Sequence, residues 1–243
     1  MNAQNCSAKD FVTRQSHELI NHFTARGMER KAAIPVITIC AQPGSGGHLI
    51  AAEVARRLDV ELYDKNLLLP MANAVDAESR VLDAIEKERP SGIQDFVCSL
   101  LNKNYVYTGD YLQYLKDTIE IIGKMNSGVI IGRGANFILP AKGRFSVRVV
   151  APRDIRVKNV AFRFGVSLAE AKKRVKNREQ KRRTFIREAF HKDIADIEHY
   201  DLIINTARMN LDAAVDAIIG TTIGAQTEGG FEKENTFILR KRK

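Results

Sequence analysis

Three stretches of this chain combine residue types suited to holding phosphate. The first is AQPGSGGH, Ala41 to His48, set between an apolar run and a helical pattern. Gly44, Gly46 and Gly47 take positive φ at little cost, so successive amides converge on an anion, and the helix that follows adds its positive end. The full phosphate-loop pattern, G-x-x-x-x-G-K-[ST], puts Ala41, Gly46, Gly47 and His48 at its four fixed positions. Only Gly46 matches. The lysine that reaches terminal phosphates is replaced by Gly47, and the hydroxyl that helps to hold a cation by His48. A charge-assisted hydrogen bond contributes about 1.5–3 kcal/mol. Backbone binding of an anion therefore survives the loss, whereas phosphoryl transfer needs a cation from elsewhere. Without a ligand the same residues make a tight strand-to-helix turn.

The second stretch is GVIIGRGANFIL, Gly128 to Leu139, where Arg133 interrupts an apolar run between two glycines. A guanidinium there is hard to explain by packing, and its planar fork suits two phosphate oxygens. The third is Arg153 to Lys192, with fourteen basic and four acidic residues, a net +10 against +9 for the whole chain. Such a block suits a polyanion; as a solvated helix face it would hold surface pairs such as Glu179 with Arg183, worth about 0.3–0.5 kcal/mol. Asp64 closes the run VELYD, where it either orients a ligand or hydrated cation or caps the next helix. No Ser-His-Asp order is present, and His17, His22, His48, His191 and His199 have no metal-ligand spacing with the cysteines. No metal-ligand set can be named.

These residues need elements to place them. Val36–Ala41 is short, apolar and β-branched, as in a strand covered on both faces. Leu49–Leu58 has helical spacing, and further strands are expected at Val60–Asp64, Gly128–Gly132, Phe145–Ala151 and Asp201–Thr206. Lys65 to Met125 reads as mostly helical, with Asp110 capping a helix that buries Leu112, Leu115, Ile119 and Ile122. Helices follow from Asp154 and from Ser167, where SLAE pairs Ser167 with Glu170 as a capping box, and from Leu211 to Ile219 with Asp212 near its positive end. Five apolar strands separated by helices imply an α/β fold, a five-stranded parallel sheet with helices on both faces and ligands beyond the strands' carboxyl ends. All three phosphate-suited stretches fall on that side.

The chain of 243 residues is 44% hydrophobic and 28% charged, which suits one core with an appendage. Three scattered cysteines, Cys6, Cys40 and Cys98, fit neither a disulfide framework nor a zinc cluster, so a reducing, cytoplasmic setting is expected. The start has no apolar signal core and no run is long enough to span a membrane. Residues 1–33 read as a helical appendage and linker, 34–222 as the main domain with a lid at about 153–195, and 223–243 as a flexible basic tail.

The motifs in this order resemble the cytidylate kinase-like family, a divergent branch of the nucleoside monophosphate kinases, from about Pro35 to Ile219. The loop reads ITICAQPGSGGHLIA where the family has ITIS-R-E-aromatic-GSGG-x-x-IA. LYDKNLL, GRGANFILP, EQKRRTFIR and YDLIINTARMNLDAAV follow at the family's order and spacing. The resemblance implies a P-loop NTPase fold with a helical lid and a helical acceptor region. It implies transfer of the ATP γ-phosphoryl group to a nucleoside monophosphate such as CMP or dCMP, with Mg²⁺ accompanying ATP. Gly44, Ser45, Gly46, Gly47 and His48 would hold the ATP phosphates, and Asp64 and Arg133 the acceptor. Arg182 and Arg187 match the family's lid cations; Arg178 is added from spacing, and with Arg133 these three form the expected catalytic set. The loop lysine is typically absent from the family. Here its Arg-Glu pair is Ala41-Gln42, its lid aspartate is Glu179, and its tyrosine pair is Phe185-Ile186. The alternative is a nucleotide sensor without turnover, using its N-terminal helix for a protein partner or self-association. A nucleic-acid binder ranks last, for want of a reader motif.

Overall fold

The computed structural model describes residues 34–64, 108–124 and 128–227. The expected N-terminal helix, most of the helical acceptor region and the basic chain end lie outside the described residues. The described chain runs β1 (Val36–Ala41), α1 (Gly47–Leu58), β2 (Leu62–Tyr63), α2 (Thr108–Lys124), β3 (Val129–Ile131), α3 (Ala135–Ile138), β4 (Arg144–Val150), α4 (Arg153–Phe164), α5 (Leu168–Phe190), β5 (Leu202–Asn205) and α6 (Leu211–Thr227). The five strands form one sheet in the order β2-β3-β1-β4-β5, and every pairing is parallel. With β1 central, the loop that follows it emerges between the loops after β3 and β4.

Strand residues alternate between the two faces. On one face Ile37, Ile39, Val147 and Val149 pack with Ile50, Ala51 and Val54 of α1 and with Ala214, Val215 and Ile218 of α6. On the other, α3 lies against β1 and α2 against α3, with Leu115, Ile119 and Ile122 buried. That second face carries polar groups within the sheet. Thr38 stands opposite Ser146 in register, and their buried hydroxyls bond at 3.1 Å. Two residue pairs further on, and so on the same face, Cys40 stands opposite Arg148.

Several boundaries differ from expectation, each for a local reason. β2 begins only at Leu62, because the Val60 amide still donates to the Ala55 carbonyl at the end of α1. Asp110 lies inside the first turn of α2, which already starts at Thr108, and so is not its cap. Ser167 caps α5 by accepting from the Glu170 amide, but the Glu170 carboxylate turns to Arg174 at 2.9 Å and the box is half made. The last helix runs past Ile219 and past the expected domain edge at residue 222, to Thr227. Thr221 and Thr222 return their hydroxyls to the Ala217 and Ile218 carbonyls, and Thr222 is fully buried, so the polar residues there continue the helix.

Ile218 is fully buried where α6 meets α1. Ile218→Ala should cost about 2–5 kcal/mol in urea unfolding, the range for deleting a packed aliphatic side chain. A cost below about 1 kcal/mol would show that α6 is not docked on this face.

Candidate functional site

The loop between β1 and α1 is shaped by glycines where it must be. Gly44 and Gly46 have φ of 82° and 80°, in the left-handed region. Gly44 also has no room for a side chain, since a Cβ would stand 2.4 Å from the Arg156 carbonyl oxygen. The Gly44 and Gly46 amides donate to no backbone carbonyl among the described residues. Those of Gly47 and His48 belong to the first turn of α1, where amides have no intrahelical partner. Four N–H groups are thus left for an anion at the positive end of a helix. Ser45 plays another part. Its amide and hydroxyl both donate to the Gln42 carbonyl, at 3.1 and 2.8 Å, and its carbonyl accepts from Thr206 at 2.9 Å. It closes the turn. His48 is exposed on the helix's first turn.

The loop's carbonyls are held from α4. Arg156, buried, donates Nε to the Ala151 carbonyl at 2.9 Å and Nη1 to Pro43 at 3.5 Å, and its Nη2 pairs with Glu179 of α5 at 3.4 Å. Asn159 donates to the Gly44 carbonyl at 2.9 Å. Glu179 is therefore turned inward to Arg156, not along its helix to Arg183. One guanidinium links the strand end, the loop and the long basic helix.

That helix brings cations to the loop. Arg182 Nη1 donates to the Ala41 carbonyl at 2.5 Å. Arg182 is an exposed residue whose guanidinium reaches back to the loop. Desolvation lowers its pKa most; Cys40 opposes, and Arg178, Arg148 and Arg133 add to the lowering. Arg178, one turn earlier, lies 5.5 Å over the Phe164 ring. Arg133 arrives from β3 with φ of 58° between Gly132 at 78° and Gly134 at 70°. A non-glycine residue in that region is a strained choice that directs a side chain. Gly134 takes the packing of α5, because a Cβ there would meet the Phe190 ring at 2.5 Å. Among the described residues none of Arg133, Arg178 and Arg182 pairs with a carboxylate. Arg187 is exposed and its side chain makes no hydrogen bond or ion pair among the described residues. Asp64 is half-buried at the end of β2, and no cluster of three metal-ligating side chains occurs among the described residues.

The sequence reading left out Arg148, Arg156, Asn159 and Asn136. Arg148 carried a signal of the same kind as Arg133, a charge inside an apolar strand run, FSVRVVA. It is 8% exposed, donates to Cys40 Sγ at 2.7 Å and lies 5.5 Å over the Tyr200 ring. Burial, then the neighbouring Cys40, pushes the Tyr200 phenol far above its usual range, so it stays protonated and donates to the Ile194 carbonyl at 2.8 Å.

Comparison with known proteins agrees with this architecture. The sequence profile of the cytidylate kinase-like family matches residues 36–208. A cytidylate kinase from Methanopyrus kandleri is 23% identical over 192 residues, spanning 76% of this chain and 94% of that protein. A cytidylate kinase from Pyrobaculum aerophilum is 27% identical over 181 residues, spanning 74% and 88%. An uncharacterised protein from Eubacterium ventriosum has the same fold at a TM-score of 0.56 and 22% identity, over 78% of this chain and 98% of its own.

The absent lysine has a steric cause. Gly47 is buried against β1, and a Cβ built on it would stand 2.1 Å from the Ala41 Cβ. The first and third fixed positions of the pattern have exchanged size: a methyl where the pattern has glycine, and glycine where it has lysine. Gly47→Lys alone should therefore destabilise the fold by about 1–3 kcal/mol through overpacking. Adding Ala41→Gly should restore most of that in thermal unfolding. Equal stability of the single and double variants would refute the pairing.

Proposed function

The chain belongs to the cytidylate kinase-like family, and from that we propose that it transfers the terminal phosphoryl group of ATP to a nucleoside monophosphate of the CMP or dCMP kind. The coarse activity, a nucleotide kinase with a P-loop fold, comes with the family. What supports this reading within the chain is one contact, the Arg182 guanidinium on the Ala41 carbonyl. It supplies a cation to the mouth of the loop where a lysine has no room.

In this reading the free amides of Gly44, Gly46, Gly47 and His48 hold the ATP phosphates. Arg182 and Arg178 neutralise charge as it develops, and Arg133 holds the acceptor's phosphate by two oxygens. An acceptor phosphate is already a nucleophile, so positioning and charge stabilisation suffice and no separate base is needed. Mg²⁺ accompanying ATP would supply further positive charge at the phosphates. The residues fit that arrangement: Mg²⁺ is commonly held by one or two carboxylates plus substrate phosphates, and Asp64 is the carboxylate offered here. Residues 153–195, chiefly α4 and α5, act as the lid, and Arg156, paired with Glu179 and donating to the Pro43 carbonyl, ties their movement to the loop. Arg187, exposed as it stands, joins the site only on closure.

A nucleotide sensor without turnover is the second reading, favoured by the same steric exclusion of lysine. A coupled assay separates the two. Purified protein with Mg²⁺ and ATP is offered CMP, dCMP, UMP, AMP and GMP, and the proposal expects turnover with a cytidine nucleotide foremost. Tight ATP binding with no turnover on any of them supports the sensor and ends the kinase reading. Arg182→Ala should lower turnover by roughly 10²–10³, the cost of losing one donor aimed at developing charge. Arg133→Ala should raise the acceptor KM and leave ATP binding nearly unchanged; equal loss of both would contradict its role.

A further inference from the structure

We infer that Arg148 and Asn136 form the inner wall of the acceptor-phosphate subsite and bind a phosphate monoester together with Arg133 and Arg182. The inference deepens the reading above and rests on it for the identity of the acceptor, but its physical basis is separate. Two polar side chains, each more than nine-tenths buried, are left short of partners in one place. Arg148 is 8% exposed and forms no ion pair with a carboxylate among the described residues; its bond to Cys40 Sγ and its place over Tyr200 leave its charge uncompensated. Asn136 is 4% exposed and its Nδ2 has no hydrogen-bond partner.

Both converge on Tyr200. The Arg148 guanidinium lies over its ring, and the Asn136 amide faces its hydroxyl oxygen, near enough to oppose the rise in the phenol's pKa yet short of a full hydrogen bond, while the hydroxyl proton goes to the Ile194 carbonyl. Arg182 stands close enough to Arg148 and Arg133 to feel both charges. Cys40, which receives the Arg148 N–H, adjoins Ala41, which receives the Arg182 N–H. Three guanidiniums thus surround the head of β1 without a counter-ion among the described residues. A buried cation without a partner is costly, as is a buried amide donor left unbonded, and a bound dianion relieves both at once. Asn136 follows Arg133 by three residues, in the first turn of α3 just after the strained turn. A dianionic tetrahedral group suits this set, since a neutral amide beside three cations adds a donor without adding repulsion.

The test uses the full chain and inorganic phosphate as the first probe, followed by thermal unfolding and isothermal titration. To keep the phosphate loop out of the signal, titrations are repeated with a non-hydrolysable ATP analogue and Mg²⁺ present. Phosphate should still bind, and Arg148→Met should weaken it by about tenfold or more, the loss of a charge-assisted donor. Asn136→Asp, nearly isosteric, should act in two directions: it raises the melting temperature of the free protein by pairing with Arg148, and it abolishes phosphate binding. CMP in place of phosphate distinguishes an acceptor site from a free-phosphate site, because the acceptor reading requires CMP to compete with phosphate and the acceptor KM to rise in both variants while the ATP KM holds. If Arg148→Met fails to fold, Asn136→Asp and Asn136→Leu carry the test. Phosphate affinity and acceptor KM unchanged in the variants would overturn the inference while leaving the kinase reading standing. Loss of phosphate binding in the variants of a protein that turns over no monophosphate would uphold the anion pocket and end the kinase reading instead.

Discussion

The contact between the Ala41 methyl and the face of Gly47 constrains everything else at this site. It makes the turn from β1 into α1 too close for a side chain at the position where a phosphate loop carries its lysine. The backbone half of the loop is intact, with left-handed glycines and amides left free at a helix start. Positive charge therefore has to come from other elements, and the sheet order decides which. With β1 between β3 and β4, the loop ends that flank it are those carrying Arg133 and the α4–α5 pair.

Bringing arginines together is unfavourable without compensation, and the fold supplies it in part by fixing their carriers. Arg156 spends its donors on the Ala151 and Pro43 carbonyls and on Glu179, so it serves as a strut. Asn159 and Thr206 hold further loop carbonyls from two other elements. Arg182, Arg178, Arg133 and Arg148 have no such carboxylate partners among the described residues, and desolvation, with their mutual repulsion adding to it, lowers the pKa of Arg182. The distinction between the strut and the uncompensated set follows from hydrogen-bond accounting, since both groups are arginine. In the proposed reading, an anionic ligand would stabilise the arrangement of these arginines by the repulsion it removes.

Much was legible in the residues alone. The apolar β-branched runs at Val36, Gly128, Phe145 and Asp201 gave strands at or within one or two residues of those observed, because a covered strand leaves an unbroken apolar signature, which β5 keeps although it lies at the sheet edge with Ile203 exposed. The Ser167 cap was legible because capping is local. Arg133 stood out as a charge in an apolar run. Arg148 met the same test and was passed over. Arg156 gave no such sign, since within a block of fourteen basic residues nothing local separates a buried strut from a solvated cation. The end of α6 lies beyond the expected Ile219 because Thr222 is buried and returns its hydroxyl to the Ile218 carbonyl, which residue type alone does not reveal.

The sequence by itself determined the alternation of strand and helix, the glycine loop and its missing lysine, and the concentration of basic charge in one segment. These follow from residue type and spacing, which act over a few positions along the chain. Only the tertiary structure decided that a methyl at residue 41 excludes a side chain at residue 47. It alone turned Glu179 towards Arg156, spent Ser45 on its own loop, and set Arg148 and Arg182 on either side of one strand end. Those outcomes depend on which strands are neighbours and on how closely a helix approaches the sheet. Both are fixed by packing among residues as far apart as 161 positions, the separation between Ser45 and Thr206.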